Sequence, residues 1–196
     1  MNKERLSSFF DAVLAIILTI LVLELEKPKE LNLHGLIDLT PNFFAYTLSF
    51  AWLSFMWIGI HNTWQDVKTI SNQTVISIMF LLFFSSFIPY TTSIVAIDHY
   101  NSFAQMMYGF IAIMVTICVT WNYYTLIQAD RTNLLLKKEL LTYIHFLYID
   151  ICIKILGMVI SALFFPPAVM YSILIAAFAL ILPSRIYIRY RKKNFD

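Results

Sequence analysis

The stretch Arg5-Leu-Ser-Ser-Phe-Phe-Asp-Ala-Val-Leu-Ala-Ile-Ile-Leu-Thr-Ile-Leu-Val-Leu-Glu24 decides the fold of this chain. It is an apolar run of membrane length, with a carboxylate, Asp11, near one end and a threonine, Thr19, near its middle. A charge inside a membrane helix is costly, so Asp11 marks a place where the helix must find a partner or perform a function.

Composition agrees with that reading. Of the 196 residues, 60% are apolar and only 13% are charged, with a mean hydropathy of +0.73. Soluble domains carry about 25% charge. Several further runs reach the ~18–20 residues needed to cross a bilayer. The chain therefore reads as an all-α, polytopic membrane protein, one transmembrane domain over residues 1–196, with function residing in the bundle itself. Cys118 and Cys152 lie in apolar runs without a C-x-x-C pattern, and read as small core residues rather than a disulfide or metal site. The first apolar run is too long for a typical signal sequence and lacks a small-x-small cleavage site before Glu24 to Pro28, so a retained span is expected.

Six spans are predicted, at about 7–25, 41–64, 74–96, 102–128, 140–165 and 168–190. Pro41 suits a first helical turn. Pro89 and Pro183 fall inside spans, where neighbours re-satisfy the freed carbonyls. The loop 26–40 has room for a short amphipathic helix with Leu31, Leu33, Leu36 and Ile37 on its apolar side. No internal repeat is visible, which weighs against an inverted-repeat transporter.

Charge sets the orientation. Lys3, Arg5, Lys68, Arg131, Lys137, Lys138, Arg185, Arg189, Arg191, Lys192 and Lys193 fall on one side of the predicted spans; Lys27 and Lys29 fall on the other; Lys154 is inside a span. The positive-inside rule puts both termini in the cytoplasm, and an even span count follows. A multi-pass plasma-membrane protein is expected. The basic tail reads as a topology signal touching anionic lipid, with no nucleic-acid partner.

On a helical wheel of the first span, Ile16, Ile20 and Leu23 share an arc of ~60°, continued toward the cytoplasm by Ala12 and Phe9. Thr19 flanks this line and Asp11 lies well away from it. The plain reading is that the line meets lipid or another helix of the same subunit. A pore built from one helix per subunit requires the same pattern.

The motif Arg5-x-x-x-Phe9-Phe10-Asp11, followed by Ala-Ile and Thr19, resembles the first helix of the lysosomal potassium channel family, transmembrane protein 175, in its short prokaryotic form. That family's signature is Arg-x-x-x-Phe-Ser-Asp; this chain has Phe10 in the serine position. The segment Phe87-Ile88-Pro89-Tyr90-Thr91 is similar to the family's Pro-aromatic segment, and Trp57 and His61 stand for its Trp and His pair in the second span, at a different spacing. The resemblance implies a homotetramer with first helices around a central pore, Ile16, Ile20 and Leu23 as apolar rings, and Thr19 as the threonine beside the constriction. It implies potassium as the permeant ion, with no cofactor and no metal otherwise.

No Thr-Val-Gly-Tyr-Gly segment is present, so no ring of backbone carbonyls can replace the ion's water. A ring of isoleucines would gate by dewetting, with moderate preference for the more easily dehydrated potassium. Asp11 needs a partner; Trp57, His61 or Arg5 of another copy are the candidates, and a knot of Arg5, Asp11 and His61 that positions the first helix is expected. Asp150 and Lys154, spaced i, i+4, are expected to pair inside the bundle. Glu24 and Glu26 would ring an outer pore mouth, and Trp52, Trp64 and Trp121 read as membrane-interface anchors. A small proton-coupled transporter using Asp11, Asp150 and Lys154 is the alternative function. An enzyme is not expected, since no His-Glu-x-x-His or Gly-x-Ser-x-Gly occurs.

Overall fold

A computed structural model of the chain describes residues 2–178. It is all-helical, with α1 (Lys3–Leu23), α2 (Leu33–Asp38), α3 (Thr40–Gln65), α4 (Asn72–Ser85), α5 (Ile88–Ile97), α6 (Ser102–Ala129), α7 (Leu134–Leu163) and α8 (Ala168–Ala176). Five segments are long and apolar enough to cross a membrane: α1, α3, α4 with α5, α6 and α7. Of the predicted sixth span only the start, α8, falls within the described residues; Pro183 and the basic tail lie outside them.

Local chemistry explains most boundaries. Asn2, Asn32, Asn101 and Asn133 each accept a backbone N–H in the first turn of the helix that follows, the usual service of an asparagine N-cap. Ser71 and Thr74 form a reciprocal capping box at the start of α4. The third predicted span is two helices rather than one. Pro89 has no N–H to offer Ser85, so the helix breaks at Ser86 and Phe87. A hydroxyl eases the bend: Ser86 Oγ donates at 2.7 Å to the Phe83 carbonyl, whose usual donor, the Phe87 N–H, has turned to Phe84. In hydrocarbon such repair is what makes a proline break tolerable.

α6 is the central post, packing on α4, α5, α7 and α8, while α1 lies against α3, α4 and α5. Polar side chains tie these helices together. Ser49 on α3 bonds both Thr92 on α5 at 2.8 Å and Tyr108 on α6 at 2.9 Å. Asn122 on α6 donates to Ser77 on α4 at 2.9 Å and accepts from Trp64 on α3 at 3.4 Å. Trp64 is thus a buried cross-helix donor and not the interface anchor expected, while Trp121 is exposed on α6. The short α2 forms where the amphipathic segment was expected, with Leu31, Leu33, Leu36 and Ile37 all turned away from the rest of the chain.

α7 and α8 approach closely because Gly157 has no side chain. A Cβ there would overlap the Ser172 side chain and press on the Ala168 carbonyl. Gly157→Ala therefore strains this contact by about 1–3 kcal/mol. A lowered melting temperature of the purified protein in detergent, with unchanged helix content, is the expected outcome; an unchanged melt would mean that the two helices are not in contact.

Candidate functional site: the exposed face of α1 and its polar anchors

The side chains of α1 divide into two faces. Leu6, Phe10, Leu14, Ile17 and Leu21 are buried against the rest of the chain. Phe9, Ile16, Ile20 and Leu23 are 45%, 58%, 37% and 78% exposed, and Thr19 is exposed beside them. The wheel line read from the sequence is therefore the face that α1 does not use within its own chain. Thr19 Oγ1 donates to the Ile16 carbonyl at 2.8 Å. Its proton is occupied by its own helix, leaving the oxygen lone pairs to face outward with the isoleucines.

Asp11 sits between the two faces, half-buried, and accepts a hydrogen bond from Trp57 Nε1 at 2.7 Å. The length is that of a charge-assisted bond, roughly twice as strong as a neutral one. The His61 ring lies 5.1 Å from the Trp57 ring, tilted by 32°, and its Nε2 is 3.3 Å from Gln65 Nε2. The direct partner of Asp11 is thus Trp57, and His61 joins the group by stacking one turn further along α3. Arg5 is exposed and makes no ion pair or side-chain hydrogen bond among the described residues. Phe10, in the place of the family's serine, is 2% exposed and packs into the chain's core. Phe10 therefore contributes apolar packing, and the hydrogen bond of this turn is the one from Trp57 to Asp11. Glu24 ends α1 as its C-cap, and both it and Glu26 are exposed at that end.

A second polar group lies elsewhere. Lys154 Nζ reaches Asp150 Oδ2 at 2.6 Å and Thr116 Oγ1 at 2.7 Å, and sits 4.7 Å above the Trp52 ring. The two charged side chains are 0% and 3% exposed. Trp52, taken from the sequence as an interface anchor, is instead 3% exposed and forms one wall of this site. Asp11 is held by α3 and Asp150 by α6 and its own helix, so the two carboxylates belong to separate contacts. No group of three or more His, Cys, Asp or Glu with metal-binding geometry occurs among the described residues.

The sequence pattern contained the i, i+4 pair but not Thr116 or Trp52. Thr116 falls on the buried face of α6, in register with Tyr108 and Ala112, and that periodicity was the available signal.

Together the long apolar helices and their polar ties define a polytopic α-helical membrane protein. The family profile described as "Endosomal/lysosomal potassium channel TMEM175" matches residues 5–89. A protein named potassium channel from Chryseobacterium sp. (strain P1-3) is 34% identical over 188 residues, which is 95% of this chain and 96% of that relative. Another, from Chamaesiphon minutus (strain ATCC 27169 / PCC 6605), is 28% identical over 138 residues, 65% of this chain and 67% of its own. The fold is similar to the crystal structure of a lysosomal potassium-selective channel TMEM175 homolog from Chamaesiphon minutus, with a TM-score of 0.76 at 19% identity, covering 95% of this chain and 97% of that one. The chain belongs to the TMEM175 family, as a prokaryotic member.

Two substitutions probe the polar anchors. Trp57→Phe keeps the ring but removes the donor to Asp11, at a cost of about 1–3 kcal/mol. Lys154→Met leaves Asp150 charged and unpaired, about 3–5 kcal/mol, and adding Asp150→Leu recovers most of that loss. Denaturation of the purified variants checks both; equal stability of the Lys154→Met single and double variants would show that the pair is not buried as described.

Proposed function

We propose that this protein is a potassium-selective cation channel, a homotetramer in which four copies of α1 surround a central pore. The observation that carries the reading is the exposed line of Ile16, Ile20 and Leu23 on a helix whose opposite face, Leu6, Phe10, Leu14, Ile17 and Leu21, is buried in its own chain. The relatives named potassium channel supply the ion.

In this reading Ile16, Ile20 and Leu23 form stacked apolar rings that constrict the pore. Such rings offer no ligands to a bare ion, so an ion passes by keeping or partly shedding its water, and a dry constriction closes the path. Potassium loses water more readily than sodium, which gives selectivity without a carbonyl filter. Thr19 places a hydroxyl oxygen beside the narrowest ring and stabilises water there. Glu24 and Glu26 surround the outer mouth and raise the local cation concentration. The membrane is the plasma membrane, with both termini cytoplasmic, following the distribution of Lys and Arg. Lipid and other copies of the chain are the partners, without a cofactor or nucleic acid. The alternative, a proton-coupled transporter, would need Asp11, Asp150 and Lys154 to act on one path; the separation of the two carboxylates into different contacts favours the channel.

Reconstituted vesicles loaded with potassium test this. Wild-type protein carries a potassium flux that follows the imposed potential, and Ile16→Asn, by wetting the constriction, raises it about tenfold and lowers preference over sodium. Flux that requires an opposing proton gradient and ceases in Asp150→Asn would establish the transporter instead.

A further inference from the structure

At the end of the bundle where α1 begins, four helix termini are tied together by side chains outside the anchors already described. Lys3, in the first turn of α1, donates from Nζ to the Val67 carbonyl at 2.6 Å. Val67 lies just past the C-terminus of α3, whose last turn contains no basic residue of its own. The terminal carbonyls of a helix carry partial negative charge and lack intrahelical partners. Lys3 thus ties the first turn of α1 to the segment that follows α3, beside the carbonyl end of that helix.

The same segment is bound on its other side. The Lys68 amide donates to Asp130 Oδ2 at 3.2 Å, and Thr69 Oγ1 donates to the Ala129 carbonyl at 2.9 Å, which closes the C-terminus of α6. Asn133, the N-cap of α7, donates from Nδ2 to the Asp66 carbonyl at 3.3 Å. Asp130 is 5% exposed, so its carboxylate is committed to this contact. The result is a continuous chain of bonds from the loop between α6 and α7, through residues 66–69, to the first turn of α1.

We propose that this clasp sets the depth and tilt of α1, and that Lys3 is a positioning residue for the constriction about four to six turns further along the same helix. The proposal rests on the reading that α1 lines the pore. The helix is then held at two heights, by Lys3 at its end and by Asp11 two turns above, and a rigid rod held at two points cannot rock. Movement of the loop 129–133 would be transmitted to the constriction through residues 66–69 and Lys3.

The test compares wild type, Lys3→Met and Lys3→Arg as full-length protein in vesicles, with two readouts. Amide hydrogen exchange over residues 3–9 reports the hold on α1; potassium flux and the potassium-to-sodium permeability ratio report the constriction. Lys3→Met raises exchange about tenfold and shifts the permeability ratio about twofold or more. Lys3→Arg, which keeps a charged donor, restores both. Unaltered exchange in Lys3→Met overturns the clasp, as does raised exchange with an unaltered permeability ratio where Ile16→Asn alters flux. If Ile16→Asn leaves flux untouched, it is the pore reading that fails, and exchange alone then decides whether Lys3 anchors α1.

Discussion

The bond from Trp57 to Asp11 is the constraint on which the placement of α1 depends. A helix as apolar as α1 gains little by turning one greasy face rather than another toward its neighbours, because lipid tails are as apolar as leucine. A single carboxylate removes that freedom. It must meet a donor, the donor is on α3, and the bond turns Leu6, Phe10, Leu14, Ile17 and Leu21 inward. Ile16, Ile20 and Leu23 then have nowhere to go but outward. The exposed face of the helix follows from a polar contact made by a different one.

The same logic recurs through the bundle. Ser49 with Thr92 and Tyr108, Asn122 with Ser77 and Trp64, and Lys154 with Asp150, Thr116 and Trp52 each join two or three helices. Where the hydrophobic effect cannot sort helices, hydrogen bonds and close packing do so, and α6, at the centre, carries a partner in each group. The buried ion pair is a costly member of the set. Its stability comes from geometry: the ammonium has a carboxylate, a hydroxyl and an aromatic face around it, so little of its charge is left unanswered.

The two polar features that looked alike in the sequence do different work. Asp11 is half-buried, at the border between the inward face of α1 and its exposed one, and ties α1 to α3. Asp150 is enclosed with its lysine and serves cohesion. Lys3 belongs with Asp11: both hold α1 by groups on or just beyond α3, and the loops beyond Lys3 extend that hold to α6 and α7.

The sequence by itself determined the membrane class, the approximate places of five apolar spans, the apolar line on the first helix and the i, i+4 pairing of Asp150 with Lys154. These are properties of periodicity and composition, written along a single helix and readable without neighbours. The break before Pro89 is half legible: the proline is visible in the sequence, while the Ser86 hydroxyl bond at the bend is not. Only the tertiary structure decided that Trp57, rather than His61, is the partner of Asp11 within the chain. It alone showed that Trp52 and Trp64 are buried donors and walls rather than interface anchors, and that Lys3 holds the segment just past a helix to which it is not attached. These are contacts between residues tens of positions apart. Which of several chemically suitable partners lies within about 3 Å of a given atom is fixed by how helices pack, and one-dimensional spacing does not contain it.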